Sequence, residues 1–407
     1  MPGALDHIRV LDLSRVLAGP WASQTLADMG AEVIKIERPG SGDDTRGWGP
    51  PYLKDQDGND TREAAYYLAA NRGKQSLTLN ISKPEGQAII RRLVRECDVF
   101  IENYKVGDMA RYGLSYDDLK IINPGLIYCS ITGFGQNGPL ASLPGYDFII
   151  QGIGGLMSIT GERDDQPGGG PQKVGVAVAD IMTGLYATIG ILGALAHRGK
   201  TGEGQYIDMA LLDVQVATMA NMNMNYLCTG KVPYRQGNAH ANIVPYQVFG
   251  AADGELVIAA GNDSQFAKLC ELMGCPELAA DERYATNANR VRNRKELVPL
   301  LQKIFYQRKV ADWITLIEPE GVPCGAINSI GQVFDHPQVR HRGMRLELPH
   351  PTAGSTPLVA NPIKFSATPI KYAKAPPTLG QHTEHILTAI AGLSPDEIRE
   401  LAGKGVV

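Results

Sequence analysis

An α/β fold with two domains is predicted: a large Rossmann-like domain built on a parallel sheet, and a smaller α+β domain. Two observations predict it. Short, branched apolar runs alternate with helical patterns through the first third of the chain, the signature of parallel strands joined by right-handed crossovers. Near residue 230 the pattern changes to a hairpin followed by helices.

The elements follow in order. Ile8-Arg-Val-Leu-Asp-Leu13 reads as a buried strand, and a helix runs from about Pro20, a residue suited to a first turn, to a stop at Gly30. Glu32–Glu37 is the next strand, halted by Arg38-Pro39-Gly40. Ser76–Asn80, Asp98–Glu102 and Leu126–Ile131 repeat the unit, with Ser82-Lys-Pro-Glu85 reading as a capping box before the helix marked by Ile89, Ile90, Leu93 and Val94. Ligands of such sheets lie beyond the carboxyl ends of the strands, and these strands end in Ser14-Arg15, Arg38, Asn103 and Thr132. Arg163–Pro171 is a polar, glycine-rich loop. The strand-like run Val174–Asp180 leads into a small-residue helix, Ile181–His197, closed by Gly199–Gly204. A strand-like Gln205–Met209 and a Met/Asn-rich helix to Cys228 follow. Val244–Phe249, the turn Asp253-Gly254 and Glu255–Ala259 form an antiparallel hairpin, followed by helices around 264–273, 291–307 and 310–318 and a strand at 322–327. A proline-rich return ends in a helix capped by Ser394. The resulting division is 1–200 for the large domain, 201–229 for a linker and helix, 230–330 for the small domain, and 331–407 for the return into the large domain.

Composition narrows the function. The 407 residues carry 39 Lys+Arg against 43 Asp+Glu, a net charge of -4, which argues against a nucleic-acid or polybasic membrane-surface protein. Six scattered cysteines without CxxC spacing read as neither a disulfide scaffold nor a zinc site. No apolar stretch approaches the ~20 residues of a membrane span, and the start runs straight into a strand, so a cytoplasmic protein is expected. The dinucleotide fingerprint, the P-loop, the H-E-x-x-H zinc motif and the G-x-S-x-G elbow are all absent, so neither metal nor serine-nucleophile chemistry is expected.

Asp180 stands at a strand-to-helix junction. It reads either as a helix N-cap or as a carboxylate nucleophile toward an activated acyl carbon. Arg38, at a strand end, and Arg111 are either solvated surface arginines or phosphate partners. The segment Arg235–Tyr246 crowds polar groups around Gly237 and is either an ordinary loop or a substrate cover.

Val10-Leu-Asp-Leu-Ser-Arg-Val-Leu-Ala-Gly-Pro20 and Met29-Gly-Ala-Glu-Val-Ile-Lys-Ile-Glu-Arg-Pro-Gly40 together resemble the class III (CaiB/BaiF) CoA-transferases. So do Glu102-Asn-Tyr104, Ser130–Gly135, Gly145-Tyr-Asp147 and Lys200–Gln205. Gly42–Pro51, Val244-Pro-Tyr246 and Gly380–Thr383 are most similar to the family's dicarboxylate enzymes, such as those acting on succinate and hydroxymethylglutarate. The resemblance implies an interlocked homodimer that moves CoA from an acyl-CoA, succinyl-CoA above all, to a short dicarboxylate such as glutarate, hydroxymethylglutarate or itaconate. It implies no permanently bound cofactor; coenzyme A enters as substrate. Asp180 matches the family's catalytic aspartate, carried through aspartyl anhydride and aspartyl-CoA thioester intermediates. The CoA-contacting positions fall on Leu17, Ala18, Arg38, Asn71, Arg72, Gly73, Asn103, Tyr104, Lys105 and Arg111. Arg46 and His240 are further candidates, for the distal carboxylate of the substrate. Formyl-CoA:oxalate enzymes carry a lysine where Thr132 stands and a polyglycine loop where Gly237–His240 stands, so a tiny substrate is not expected. Acyl-CoA racemases of the same superfamily pair the aspartate with a nearby preceding histidine, whereas here the preceding one is His7. A non-catalytic CoA-binding dimer, with Asp180 merely a cap, is the third reading.

Overall fold

In the computed structural model, which describes residues 2–407, the parallel strands are β1 (Arg9–Asp12), β2 (Glu32–Glu37), β3 (Lys74–Thr78), β4 (Val99–Glu102), β5 (Ile127–Thr132) and β6 (Tyr206–Ala210). Their order across the sheet is β3-β2-β1-β4-β5-β6, and every neighbouring pair runs parallel. The order reverses between β1 and β4, which opens a crevice at their carboxyl ends. Both faces of the central strands are covered, so those strands are largely apolar on both sides. Val10, Val33, Val99 and Ile101 face one core, while Leu11, Ile34 and Phe100 face the other, the two-residue alternation of a pleated strand. The first face carries helices α1 (Ala18–Asp28) and α4 (Val178–Thr201), through Ala22, Leu26, Ala187 and Ile191. The second carries α2 (Pro84–Val94), α5 (Thr383–Ala389) and α6 (Pro395–Gly403), through Ile89, Ile90, Leu93, Ile386 and Leu387. Helix α3 (Asp147–Ile153) precedes α4.

This compact unit comprises Met1–Leu156, Val174–Cys228 and Pro337–Val407. The last strand of its parallel sheet, β6, lies in the stretch expected to be a linker. The other unit comprises Met157–Lys173 and Thr229–His336. It holds a three-stranded antiparallel sheet of β7 (Tyr246–Gly250), β8 (Glu255–Ala259) and β9 (Cys324–Ala326), with β8 central, packed under helices whose buried faces include Phe266, Leu301 and Trp313. Residues 157–173, expected within the first domain, cluster here. Arg235 donates from Nε to the Glu162 carbonyl at 3.1 Å, tying that loop to this unit.

Several local expectations are corrected. The run 174–177 forms no strand. Ser82 does not cap α2; its hydroxyl donates to Asn80 Oδ1 at 2.6 Å and Lys83 is the N-cap residue, whereas the Ser394 box does form. Strands Tyr52–Lys54 and Asp60–Ala64 form an antiparallel hairpin that no sequence pattern announced. Helix α4 is also longer than expected and, by length and composition alone, apolar enough to cross a membrane, because its many Ala, Gly, Ile and Leu residues dilute its few polar ones. One face of it nevertheless packs on α1.

Candidate active site

Gly184 brings α4 against α1: a Cβ at that position would lie 2.6 Å from the Ala18 carbonyl oxygen. Asp180 is one turn earlier on the same face of α4. The close helix crossing therefore carries its carboxylate toward the N-terminal end of α1 and the crevice between β1 and β4. A cleft of about 480 Å³ opens there, lined by the ends of β1 (Arg15–Ala18), β4 (Asn103–Val106) and β5 (Ile131–Gly133), with Trp48, Tyr146 and Asp180. Gly133 and Gly145 let two of its walls touch, since a Cβ on Gly133 would sit 2.5 Å from the Gly145 Cα.

Asp180 is 9% exposed and caps nothing. It lies within the first turn of α4, behind the N-cap residue Ala177, and among the described residues no group donates a hydrogen bond to its carboxylate. The free N–H at that helix end is taken by Asp147 instead: Ala179 N–H donates to Asp147 Oδ1 at 2.8 Å. Asp147 Oδ2 accepts from Gln151 Nε2 at 2.7 Å, and Gln151 Oε1 accepts from the Val174 N–H at 2.9 Å. The start of α4 is thus anchored without using Asp180. Burial, reinforced by the charge of Asp147, pushes the Asp180 carboxyl up to about 7, despite the favourable helix dipole. A carboxylate that is buried, unpaired and unusually basic is a poor structural element and a good nucleophile.

The positions that the resemblance assigns to CoA fall into three groups. Leu17, Ala18, Asn103, Tyr104 and Lys105 line the Asp180 cleft. Arg38 lines an adjoining groove of about 220 Å³ at the ends of β2 and β3, and Arg15, Asp44 and Tyr104 border both spaces. The rest are turned to other tasks. Asn71 Nδ2 donates to the Tyr67 carbonyl at 2.8 Å, and its Oδ1 accepts from Lys74 Nζ at 2.9 Å. Arg72 pairs with Asp28 through Nε at 2.8 Å and Nη2 at 2.5 Å. Gly73 takes a φ of +79° and donates its N–H to the Lys374 carbonyl at 3.0 Å. Arg111 is exposed and pairs with Asp108 at 3.1 Å.

Arg46 is buried and fully engaged. Glu37 takes its Nε at 2.8 Å and Nη2 at 2.9 Å, Glu63 takes Nη1 at 3.0 Å, the Pro377 carbonyl accepts from Nη2 at 3.0 Å, and the guanidinium lies 3.7 Å from the Tyr67 ring centroid. Four of its five N–H donors are thus taken by groups that hold it in the scaffold, which leaves a single Nη1 N–H. His240 belongs to the other unit, where its ring lies 5.1 Å from that of Tyr246 and its Nδ1 accepts the Asn242 N–H at 3.0 Å.

Four residues escaped sequence reasoning. Asp147 anchors α4. Tyr66, edge-on to Trp48 at 5.1 Å, has its hydroxyl pushed upward by burial and then by the charge of Asp180, which places it within electrostatic reach of that carboxylate. Arg15 pairs with Asp44 at 3.0 Å and lies over Tyr104 at 5.4 Å. Val16 adopts φ +73°, a left-handed conformation that strains a β-branched residue by about 1–3 kcal/mol. Asp147, Arg15 and Val16 lie in motifs the sequence had singled out, but without a role of their own, and Tyr66 lies in none.

The family model described as CoA-transferase family III matches residues 5–383. A succinate–glutarate CoA-transferase of Agrobacterium fabrum is 52% identical over 386 residues, covering 95% of each chain. The succinyl-CoA:glutarate CoA-transferase of Mus musculus is 46% identical over 403 residues, covering 99% of this chain and 90% of that one. A crystal structure of a CaiB/BaiF family protein from Brucella suis superposes with a TM-score of 0.83 at 49% identity, covering 96% of this chain and 100% of that one. The buried, unpaired Asp180 carboxylate, the crevice at the sheet's reversal point and these similarities converge: the chain belongs to CoA-transferase family III, the CaiB/BaiF family, and is a CoA-transferase.

Proposed function

We propose that this enzyme moves CoA from succinyl-CoA to glutarate, with Asp180 as the covalent carrier. The observation that carries the reading is the Asp180 carboxylate: buried, raised to about 7, free of hydrogen-bond donors, and lining the cleft. The choice of acids rests on the relatives from A. fabrum and M. musculus, whose names state that pair.

Four steps balance. The Asp180 oxygen attacks the succinyl thioester carbonyl, the C–S bond breaks, and CoA leaves as thiolate from a mixed aspartyl–succinyl anhydride. The thiolate, a good leaving group and a good nucleophile, attacks the aspartyl carbonyl and expels succinate. A glutarate carboxylate then attacks the aspartyl-CoA thioester to form the second anhydride. The returning thiolate attacks its glutaryl carbonyl, releasing glutaryl-CoA and the free Asp180 carboxylate. One thioester replaces another, so no nucleotide hydrolysis is needed. The groove bordered by Arg38 suits the anionic nucleotide end of CoA, with pantetheine passing Leu17, Ala18, Asn103 and Tyr104 toward Asp180.

A homodimer belongs to the same reading. Helix α4 leaves Leu185, Tyr186 and Ile189 exposed, an apolar face that a second copy would cover. Sedimentation at micromolar concentration reads the subunit number, and a monomer would remove this part.

The test of the transfer is a panel of short mono- and dicarboxylates incubated with succinyl-CoA. Glutaryl-CoA should form fastest, and hydroxylamine added during turnover should trap Asp180 as a hydroxamate. Preference for a monocarboxylate would overturn the choice of acceptor. Undiminished transfer without any trapped Asp180 would overturn the covalent route.

A further inference from the structure

The turn that carries Leu17 and Ala18 into the cleft is held in a strained shape by three side chains from other segments. Asn103 turns both polar atoms of its amide to one residue: Oδ1 accepts the Arg15 N–H at 2.9 Å, and Nδ2 donates to the Arg15 carbonyl at 2.7 Å. Asp43 Oδ1 accepts the Val16 N–H at 3.2 Å. Lys35, fully buried, donates to the Ser14 carbonyl at 2.9 Å and pairs with Asp43 Oδ2 at 2.8 Å. Between these anchors sits Val16 at φ +73°. A β-branched residue stays in that region only where its surroundings over-determine it, and here they do so at the wall of the reaction cleft.

We propose that Asn103 is a positioning residue, acting through the Val16 turn with Asp43 and Lys35, rather than a direct ligand of CoA. This rests on the reading of the cleft as the acyl-CoA site. Both polar atoms of the Asn103 side chain already bond Arg15, which fixes the amide in place and leaves one N–H on it, whereas releasing Arg15 would let Val16 relax out of the left-handed region and shift Leu17 and Ala18. Displacing a cleft wall by an ångström lowers turnover by up to about 100-fold without any contact being lost.

A double-mutant cycle separates the two roles. Asn103→Ala is made in the wild type and in Val16→Gly and Val16→Asn backgrounds, since Gly and Asn tolerate positive φ and need no clamp. Turnover and CoA affinity are measured, the latter by calorimetry. In the wild-type background Asn103→Ala should lower kcat by about 10–100-fold while CoA binds nearly as before. In either relaxed background the same change should cost much less, so that the effects fail to multiply. Losses that multiply to within about twofold in both backgrounds, the behaviour of independent sites, would overturn the clamp. So would a loss of CoA affinity as large as the loss of kcat, which marks a direct contact. If Asn103→Ala does not fold, Asn103→Asp keeps the acceptor for the Arg15 N–H, removes the donor to its carbonyl, and runs the same cycle. A wild-type protein that exchanges no CoA would overturn the transfer reading and this one with it. Multiplicative losses in an active wild type overturn the clamp alone.

Discussion

Two groups of buried acids flank the carboxyl edge of the same sheet, and their protons are held in opposite ways. Around β2, burial alone would raise the carboxyls. Instead, Arg46 and the charge of Lys35 hold Glu37 below its usual value, and Lys35 with Thr45 pulls Asp43 down to about 2. Asp12 is likewise lowered, Lys74 and Lys35 outweighing its burial. At the start of α4 and the end of β4 the same burial meets no cation: Asp180 and Glu102 both rise to about 7. Acids supplied with cations build the scaffold, and an acid left without one is available for chemistry.

The comparison is broken most severely by removing the carrier. Asp180→Ala should lower CoA exchange by at least ~10³-fold, the scale of losing a covalent nucleophile, while calorimetric CoA binding persists. Retention of most activity would place Asp180 with the structural acids. Next, Arg46→Ala should destabilise the fold by about 3–5 kcal/mol, because Glu37 and Glu63 would be left buried with one cation fewer. Thermal unfolding reads this directly. A raised KM for glutarate with unchanged stability would restore Arg46 to the substrate-carboxylate role expected of it.

What the chain disclosed depended on whether the cause was local. Strands buried on both faces write themselves as short apolar runs, so β1, β2, β4 and β5 could be read within a few residues, while β3, which opens with Lys74, Gln75 and Ser76, and the half-exposed β6 showed more weakly. The hairpin Tyr52–Lys54 with Asp60–Ala64 could not, because its polar, half-exposed strands carry no clear alternation. The position of Asp180 at a helix start was legible. Its lack of partners was not, since that depends on Asp147 taking the Ala179 N–H and on Gly184 drawing α4 onto α1. Arg46 misled for the same reason: Glu37, Glu63 and the Pro377 carbonyl reach it from segments 9, 17 and 331 residues away. Nothing about a valine foretells the backbone of Val16, which tertiary anchors impose.

A gentler change tests what the missing cation costs. Asp180 binds its proton more tightly folded, at about 7, than at the ordinary 3.8, so between those values the folded state holds the extra proton and stability falls as pH rises. Above pH 7 the penalty is complete. The gap, at about 1.4 kcal/mol per unit, bounds it near 4 kcal/mol. Asp180→Asn, isosteric and uncharged, should therefore unfold several degrees above wild type at pH 8 and close to it at pH 4. Equal melting temperatures at pH 8 would show a carboxylate better solvated than its burial indicates.

The smallest effect belongs to Glu102, the other acid without a cation. Its Oε2 accepts the Tyr104 N–H at 2.7 Å, fixing the loop that borders the cleft. Burial raises it first, hydrogen bonds from Ser130 and Tyr104 oppose this, and Asp108 adds to the rise. The other titratable groups facing it are Tyr128, Tyr206 and Cys129, all pushed well above neutrality, so Glu102 alone among these neighbours changes charge near pH 7. Above that pH the bond to Tyr104 is charge-assisted, and below it the bond is neutral and weaker by about 1 kcal/mol. In the Asp180→Ala protein, where the nucleophile no longer titrates, CoA should bind about fivefold more tightly at pH 8 than at pH 6 through this bond. Glu102→Gln keeps an acceptor for the Tyr104 N–H but cannot ionise, so its difference between the two pH values should shrink by that factor, leaving only the titration of CoA's own phosphate. An unchanged pH dependence in Glu102→Gln would mean that the loop does not feel the charge, and that burial without a cation at β4 serves packing alone.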